Sequence, residues 1–452
     1  VIHDVYGLQA MKQDLTASYS LNNAIDATVT SNWNSAAGFD PIGTCVGNCN
    51  AGGDDSAFTG TFNGGDYAVD SLFIDRSATQ GIGLIGFADG AGVQITNVGM
   101  TNVDVTGSNS TGALVGYLKS GADVINSYST GAVAGKSYTG GLVGYLISSA
   151  GISESYSEAT MSGSGTSYIG GLAGVLVSSS FITDSYATGS VMIPTMGAVG
   201  GLVGLNTASS SVTNSYATGN VRGSSSVGGL IGVHETTVTN SYSTGDVTAN
   251  TVIDDRFGGI GGTSTGTVTN SYYSGTLINL LGGSQTVSGV EETDETRFYS
   301  PGHAVYDVDG GGWDPFTPDW DFYSDENPHL TWENYDTADH FWTGNAGTTV
   351  WDTVGNWAQG SEPGAASIVH IFNRTFDPTT VNAESFATLN IHDGILTLGN
   401  TLDLSTDVNI SASDTLGGSL LASGNSMNVG GDWTNAGTFT HGDNEVTFDA
   451  SG

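Results

Sequence analysis

Short apolar alternations, separated by Gly, Ser, Asn and Thr, run along most of the 452-residue chain. From about residue 81 to 282 this pattern repeats. A Gly-Leu-Val-Gly-like phrase returns every 28 or 30 residues, with its Leu or Ile at positions 84, 114, 142, 172, 202, 230 and 260. Alternation over a few residues between turn residues is typical of β-strands. A repeat of this length indicates a solenoid, a propeller or an array.

Two further phrases, Asn-Ser-Tyr and Thr-Gly-x-Val, follow the first at fixed offsets within the repeats. Three short strands in 28 or 30 residues are too few for a four-stranded propeller blade of ~40 residues. The sequence therefore predicts an all-β fold, a β-helix of about seven turns. Turns would stack ~4.8 Å apart, and the Leu and Val columns would form one continuous core.

Stacked turns bring equivalent side chains into columns. We expect an aromatic ladder that covers the core at Tyr128, Tyr156, Tyr186, Tyr216, Tyr242 and Tyr272. The alternative is an exposed stripe that stacks on sugar rings. An Asn column precedes these tyrosines, and its amides can hydrogen-bond between turns. Glu154 and Asp184 replace Asn in that column and place an unbroken amide ladder in doubt.

Changes in composition predict four regions. Residues 1–80 form an N-terminal cap with lead-in strands, in which Trp33, Phe39, Phe58 and Phe62 plug the end. Residues 81–282 form the β-helix. Residues 283–338 form an acidic linker and an aromatic C-terminal cap, because an open solenoid end is a sticky strand edge. Residues 339–452 form a second all-β module, either a β-helix or a sandwich.

The net charge of the chain limits the classes of molecule that it can bind. Only 12% of residues are charged, and 45 acidic against 8 scattered basic residues give a net charge of −37. Nucleic-acid binding is excluded, because it needs clustered Lys and Arg. No apolar run is long enough for direct membrane insertion.

The four-residue spacing of Cys45 and Cys49 fits a loop disulfide in an oxidising compartment. We interpret the chain, which begins at Val1, as a mature or excised segment.

The Gly-Leu-Val-Gly phrases resemble the GLUG motif of bacterial surface proteins, which include filamentous-haemagglutinin-like adhesins and IgA-protease-like proteins. The lead-in at 38–43 and the aromatic segment at 313–332 are similar to the elements that flank such repeats. The resemblance covers roughly residues 10–332. It implies a secreted, extracellular or cell-surface β-helical protein, often adhesive. It supplies no catalytic residues.

The sequence contains few candidate metal-binding or catalytic residues. Asp307, Asp309 and Asp314 place carboxylates at alternating positions beside Gly, which indicates a candidate Ca²⁺ loop. A solvated acidic turn is the alternative. Of the 8 histidines only His234 lies within the repeats, and all are interpreted as surface or loop residues. No cofactor other than Ca²⁺ is expected.

These patterns predict a non-catalytic structural or adhesive protein of the bacterial cell surface. Two alternatives remain open. One is a carbohydrate-active β-helix enzyme, a polysaccharide hydrolase or lyase. The other is a subunit of a self-assembling extracellular filament. The expected partners are a host or neighbouring-cell surface, extracellular polysaccharide, or further copies of the chain.

Overall fold

The computed structural model describes residues 1–45, 49, 55–163, 168–193, 197–249, 257–269, 271–274, 277–279, 290–291, 320–321, 329–330, 339–342, 349–353, 357, 362–371, 378–391, 395–410, 419–442 and 445–448. The chain divides into two compact units, Val1–Glu295 and Thr296–Gly452. Short parallel strands dominate the described part of both units, and the predicted all-β solenoid is confirmed.

Three parallel sheets, here called sheets 1 to 3, run along the described part of the first unit. Sheet 1 contains strands Ser18–Ser20, Ile25–Asp26, Thr61–Asp70, Phe73–Asp75, Gln94–Thr106, Asp123–Ile125, Tyr128–Gly135, Gly151–Ser153, Tyr156–Ser157, Thr160–Gly163, Phe181–Ala187, Val191–Met192, Ser211–Ala217, Val221–Gly223, Thr237–Thr239, Tyr242–Ser243, Val247–Ala249, Thr267–Thr269, Tyr272–Tyr273, Leu277–Asn279 and Val290–Glu291. Sheet 2 contains Ile85–Asp89, Val115–Lys119, Val143–Ile147, Ala173–Val177, Val203–Asn206, Ile231–His234 and Gly261–Ser264. Sheet 3 contains Asn109–Thr111, Ser137–Gly140, Ile169–Gly170, Val199–Gly200, Val227–Gly228 and Phe257–Gly258.

The repeat phrases stack in register. Val143 of sheet 2 pairs with Val115 in one neighbouring turn and with Ala173 in the other. The Leu or Ile of the seven Gly-Leu-Val-Gly phrases is fully buried in each turn, at positions 84, 114, 142, 172, 202, 230 and 260. Complete burial of such a side chain stabilises the fold by about 1.5–3 kcal/mol. No single turn could bury this column by itself, so the turns depend on one another.

The paired glycines of the repeat allow this close stacking. A Cβ atom on Gly171 would lie 2.0 Å from the carbonyl oxygen of Gly201, and one on Gly201 would lie 2.1 Å from the carbonyl oxygen of Gly229. The second Gly of the phrase is therefore a requirement of backbone packing.

The seven turns predicted from the repeat phrases supply the seven strands of sheet 2, and the solenoid has about nine turns in all. The lead-in segment accounts for the difference. Its strand Thr61–Asp70 pairs in parallel with Ser18–Ser20 on one side and with Gln94–Thr106 on the other. Phe39, Phe58 and Phe62 are fully buried in the common core, and Trp33 packs against it. These aromatic residues belong to turns of the solenoid that lack the repeat phrase, so sequence periodicity does not reveal them.

A helix covers the N-terminal end of this core. It spans Val5–Ala10 and is followed by the 3₁₀ helix Met11–Gln13; two further 3₁₀ helices span Thr28–Asn32 and Asn34–Ala36. The Asp4 carboxylate accepts a 2.8 Å hydrogen bond from the Gly7 N–H and caps the helix. Val5, Leu8 and Met11 are buried against the first turns, so their side chains shield the apolar end of the stack.

The described part of the second unit also consists of short strands stacked in three parallel sheets. Its parallel sheets, here called sheets 4 to 6, contain Asp339–Phe341, Ile368–Ile371, Thr388–Ile391, Val408–Ile410 and Trp433–Asn435; Thr379–Thr380, Ile395–Leu398, Ser419–Leu421 and Thr438–Thr440; and Glu384–Phe386, Leu402–Leu404, Met427–Val429 and Val446–Phe448. Strands Trp320–Asp321 and His329–Leu330 form an antiparallel pair. Trp342, Trp351 and Trp357 are buried in the hydrophobic core of the second unit, which is separate from that of the first.

Candidate functional site

The tyrosine column forms a continuous ring stack. Centroid distances between successive rings from Tyr128 to Tyr242 are 4.9, 4.7, 4.8 and 4.8 Å, with interplanar angles of 6° or less. The column becomes more buried along the chain, and Tyr242 is fully buried. Tyr272 pairs with Tyr242 in the backbone register. Because each ring face lies on the next ring, this column stabilises the stack of turns.

The Asn column lies at a corner where the backbone is left-handed. Asn97, Asn126, Glu154, Asp184, Asn214 and Asn240 all have φ between 46° and 56°. Asn tolerates this conformation better than most residues, which explains its recurrence. The amide of Asn126 donates to the side-chain oxygen of Asn97 at 2.8 Å, and that of Asn214 donates to the Asp184 carboxylate at 3.0 Å.

A serine ladder lies between the Asn and Tyr columns, and the sequence analysis missed it. Each Ser hydroxyl accepts a hydrogen bond from the backbone N–H of the equivalent residue one turn earlier, at 3.1–3.3 Å. It also donates to the carbonyl two residues before it, at 2.7–2.9 Å. The column is Ser127, Ser155, Ser185, Ser215, Ser241 and Ser271, all buried. The strict Asn-Ser-Tyr spacing was the available signal.

A second group of tyrosines, also missed, lies on the outside of sheets 2 and 3. Tyr117 and Tyr145 occupy one register position in successive turns, and their rings stack at 4.8 Å. The Tyr138 ring meets the Tyr145 ring edge-on at 5.3 Å, and Tyr168 lies 6.2 Å beyond Tyr138 in a parallel orientation. These four half-buried residues are here called the outer tyrosine cluster.

The predicted disulfide lies at one end of the outer tyrosine cluster. Cys45 and Cys49 are joined, with their Cα atoms 4.9 Å apart, and both pack against the buried Phe87 ring. Phe87 in turn meets Tyr117 edge-on at 5.6 Å. The disulfide therefore supports the outer tyrosine cluster at the Tyr117 end.

An ion pair lies beside the disulfide. The Lys119 ammonium lies 3.5 Å from the Asp89 carboxylate and donates a 3.3 Å hydrogen bond to the Cys49 carbonyl. Burial raises the pKa of the Tyr117 hydroxyl to about 12, with contributions from Tyr145 and from the negative charge of Asp89. Burial also raises the pKa of Tyr145. Both phenols therefore stay protonated and can donate hydrogen bonds at physiological pH.

His234 was expected at the surface, but it is fully buried. It follows Asn206 in the register of sheet 2, and its Nε2 lies 3.3 Å from the Thr267 carbonyl. Burial lowers the pKa of the imidazole. The interpretation failed because a lone His within an alternating strand gives no indication of which face it occupies. His340 and His370 of the second unit are also buried.

The second unit contains a carboxyl group with a raised pKa. Burial and the neighbouring charge of Asp352 raise the pKa of Glu384 to about 7. The Asn382 amide donates to the Asp352 carboxylate, which keeps Asp352 in place. The candidate Ca²⁺ ligands Asp307, Asp309 and Asp314 lie outside the described residues. Within the described ranges, no group of three His, Cys, Asp or Glu side chains is arranged to hold a metal ion.

Comparison with known proteins supports the predicted motif. The family model described as the GLUG motif matches residues 197–222 and 223–248. The chain is 40% identical over 137 residues to "Halomucin" of Haloquadratum walsbyi (strain DSM 16790 / HBSQ001), which is 29% of this chain and 1% of that protein. The chain thus spans only a small part of that relative's length. The resemblance to filamentous-haemagglutinin-like adhesins stays a prediction.

Two solved structures resemble the chain weakly. A candidate immunoglobulin A1 protease from Bacteroides ovatus has a TM-score of 0.46 and 20% identity, over 73% of this chain and 91% of that one. An IgA1 protease has a TM-score of 0.40 and 18% identity, over 64% of this chain and 23% of that one. Neither likeness is close enough to support an argument about function. No helix in the described part of the chain is long and apolar enough to span a membrane.

Proposed function

We propose that the chain is a structural and adhesive segment of a secreted or cell-surface protein. The observation that carries the proposal is the stacking of equivalent side chains in register along the first unit. Ring stacks and serine hydrogen bonds join successive repeat turns, and a common apolar core runs through them. Such a stack resists local opening, because displacement of one turn would break its contacts with two neighbours.

The surface chemistry supports a location outside the cell. The disulfide between Cys45 and Cys49 persists in an oxidising compartment. The net charge of −37 keeps copies of a repetitive β protein apart and in solution. An excess of this size is unfavourable for contact with nucleic acid.

The comparisons support the same class. The GLUG motif match falls on two adjacent turns of the solenoid, at residues 197–222 and 223–248. The similarity to "Halomucin", of which the chain covers 1%, is consistent with a segment of a much larger protein. The predicted lack of catalysis stays a prediction.

Antibodies raised against the purified chain test the proposed location outside the cell. They should label intact, unpermeabilised cells of the producing organism or detect the protein in the culture medium. Antibodies against a cytoplasmic protein provide the control, since they should label only after permeabilisation. Signal that appears only after permeabilisation would contradict the proposal.

A further inference from the structure

The outer tyrosine cluster differs from the tyrosine ladder in its chemistry. Its hydroxyl groups, those of Tyr117, Tyr138, Tyr145 and Tyr168, make no hydrogen bond to any described residue. All four side chains are half-buried, and their rings contact one another within the cluster. The cluster therefore presents aromatic carbon and several hydrogen-bonding groups on one small area of the surface.

The cluster is held firmly at one end. Tyr117 rests on the buried Phe87, which the Cys45–Cys49 disulfide covers. The Lys119 and Asp89 side chains are each less than one-fifth exposed and form an ion pair beside it. A carboxylate and an ammonium group thus border the aromatic surface, and both are held in place by contacts of their own. A preorganised surface loses little conformational entropy when it binds a ligand.

The backbone of Tyr138 provides an independent indication. Its φ is 55°, in the left-handed region that bulky residues rarely adopt. Ser110, at the equivalent position of the preceding turn, has the same φ of 55°. The fold thus accepts a small polar residue at this corner. A tyrosine in this conformation is strained by about 1–2 kcal/mol. A binding role for its ring would explain why a tyrosine occupies this position.

We propose that the outer tyrosine cluster binds neutral hexopyranose units of an extracellular polysaccharide. The C–H faces of a pyranose ring fit against aromatic carbon, and its hydroxyl groups can hydrogen-bond to phenols and to the Asp89 carboxylate. The net charge of −37 repels uronic-acid and sulfated polymers, so an uncharged glycan is the complementary class. This inference rests on the proposed adhesive function and names its partner.

Affinity electrophoresis of the full chain tests the proposal. Native gels would contain dextran, hydroxyethyl cellulose or, as the anionic comparison, alginate. At least one neutral polymer should retard the wild-type protein, and alginate should not. The Tyr138→Ser variant should bind about tenfold more weakly, as expected for loss of one aromatic contact. Tyr67→Ser, a change at an exposed tyrosine of sheet 1, should bind like the wild type.

Folding can be separated from binding in this experiment. Because Ser110 already occupies the same corner, Tyr138→Ser should keep the wild-type far-ultraviolet circular dichroism spectrum. A conservative Tyr138→Phe change should retain most of the binding. Retardation by neither neutral polymer, retardation by alginate alone, or equal retardation of Tyr138→Ser and wild type would each overturn the proposal. The antibody labelling described above does not depend on glycan binding, so the two proposals can fail separately.

Discussion

The Asn126 side-chain amide donates a 2.8 Å hydrogen bond to the side-chain oxygen of Asn97, one turn earlier in the solenoid. Asn97 repeats the arrangement with Asn63 at 3.1 Å, and Asn240 with Asn214 at 3.3 Å. No such bond joins Asn126 to Glu154, the next residue of the described column. The Glu154 carboxylate has no N–H group to donate to the Asn126 side-chain oxygen. Asp184 likewise has no amide to donate to Glu154, so two consecutive bonds are missing from the ladder.

Glu154→Asn should restore the first of these two missing bonds. Asn accepts the φ of 48° at position 154 more readily than Glu, and its amide can donate to Asn126. We expect the free energy of unfolding to rise by about 0.5–1 kcal/mol. Urea denaturation followed by circular dichroism measures the change. Glu158→Asn, on an exposed position of the same turn, removes the same charge without the ladder contact and should leave stability nearly unchanged. Equal stabilisation by both variants would mean that charge alone is responsible.

Ser185→Ala should destabilise the first unit. The change removes the acceptor of the Ser155 N–H at 3.2 Å and the donor to the Thr183 carbonyl at 2.7 Å. Both groups would then be buried without a partner, which costs about 1–3 kcal/mol. Denaturant unfolding measures the loss. Ser162→Ala, at an exposed position, serves as the control and should change stability by no more than about 0.5 kcal/mol. Similar values for the two variants would show that the serine ladder does not stabilise the stack.

Stability should fall as the solution becomes mildly acidic. Burial keeps the pKa of His234 below its ordinary value of 6.5, so below that pH the unfolded chain binds a proton that the folded chain does not. The stabilisation is complete above about pH 6.5 and declines below it, by about 1.4 kcal/mol per pH unit for one site. The free energy of unfolding measured from pH 7.5 to 5 should show this slope. His234→Asn should reduce it, whereas His3→Asn, at an exposed residue, should not.

The second unit should respond to pH in the opposite sense. Because the pKa of Glu384 is raised from 4.5 to about 7, the folded form holds a proton between these values that the unfolded chain has lost. Stability therefore falls as the pH rises from 4.5 through 7. Solvent exposure limits the contribution to about 1–2 kcal/mol. Seven of the eight tryptophans lie in Thr296–Gly452, so tryptophan fluorescence follows this unit. Glu384→Gln should flatten the dependence, and Glu445→Gln, at an exposed residue, should leave it as it is.

Periodicity made the fold of the repeats predictable. The spacing of 28 or 30 residues between the Leu or Ile positions from 84 to 260 indicated which residues stack, and the Tyr column followed from the same spacing. The lead-in segment was predicted to form a cap with lead-in strands, and its Phe58 and Phe62 lie in the same core as the repeats. Parallel pairing between dissimilar strands leaves no signal in a single sequence.

The surface features were less predictable. Serine was read as a turn residue, and its buried ladder depends on hydrogen bonds that only the stacked geometry creates. The outer tyrosine cluster combines two residues of one column, Tyr117 and Tyr145, with two from another sheet, Tyr138 and Tyr168. Such a group forms only when the turns are wound, because its members come from three successive turns, and only Tyr138 and Tyr145 share a turn.

Disulfide cross-linking between neighbouring turns tests the stacking itself. Thr213 pairs with Thr239 in adjacent strands of sheet 1, whereas Thr237 pairs with Ser211. Adjacent parallel strands lie ~4.8 Å apart, within the range that a disulfide spans. The double variant Thr213→Cys/Thr239→Cys should therefore cross-link under mild oxidation, as mapped by peptide mass spectrometry, and Thr213→Cys/Thr237→Cys should not. Equal cross-linking of both pairs, or of the second alone, would contradict the register on which the solenoid depends.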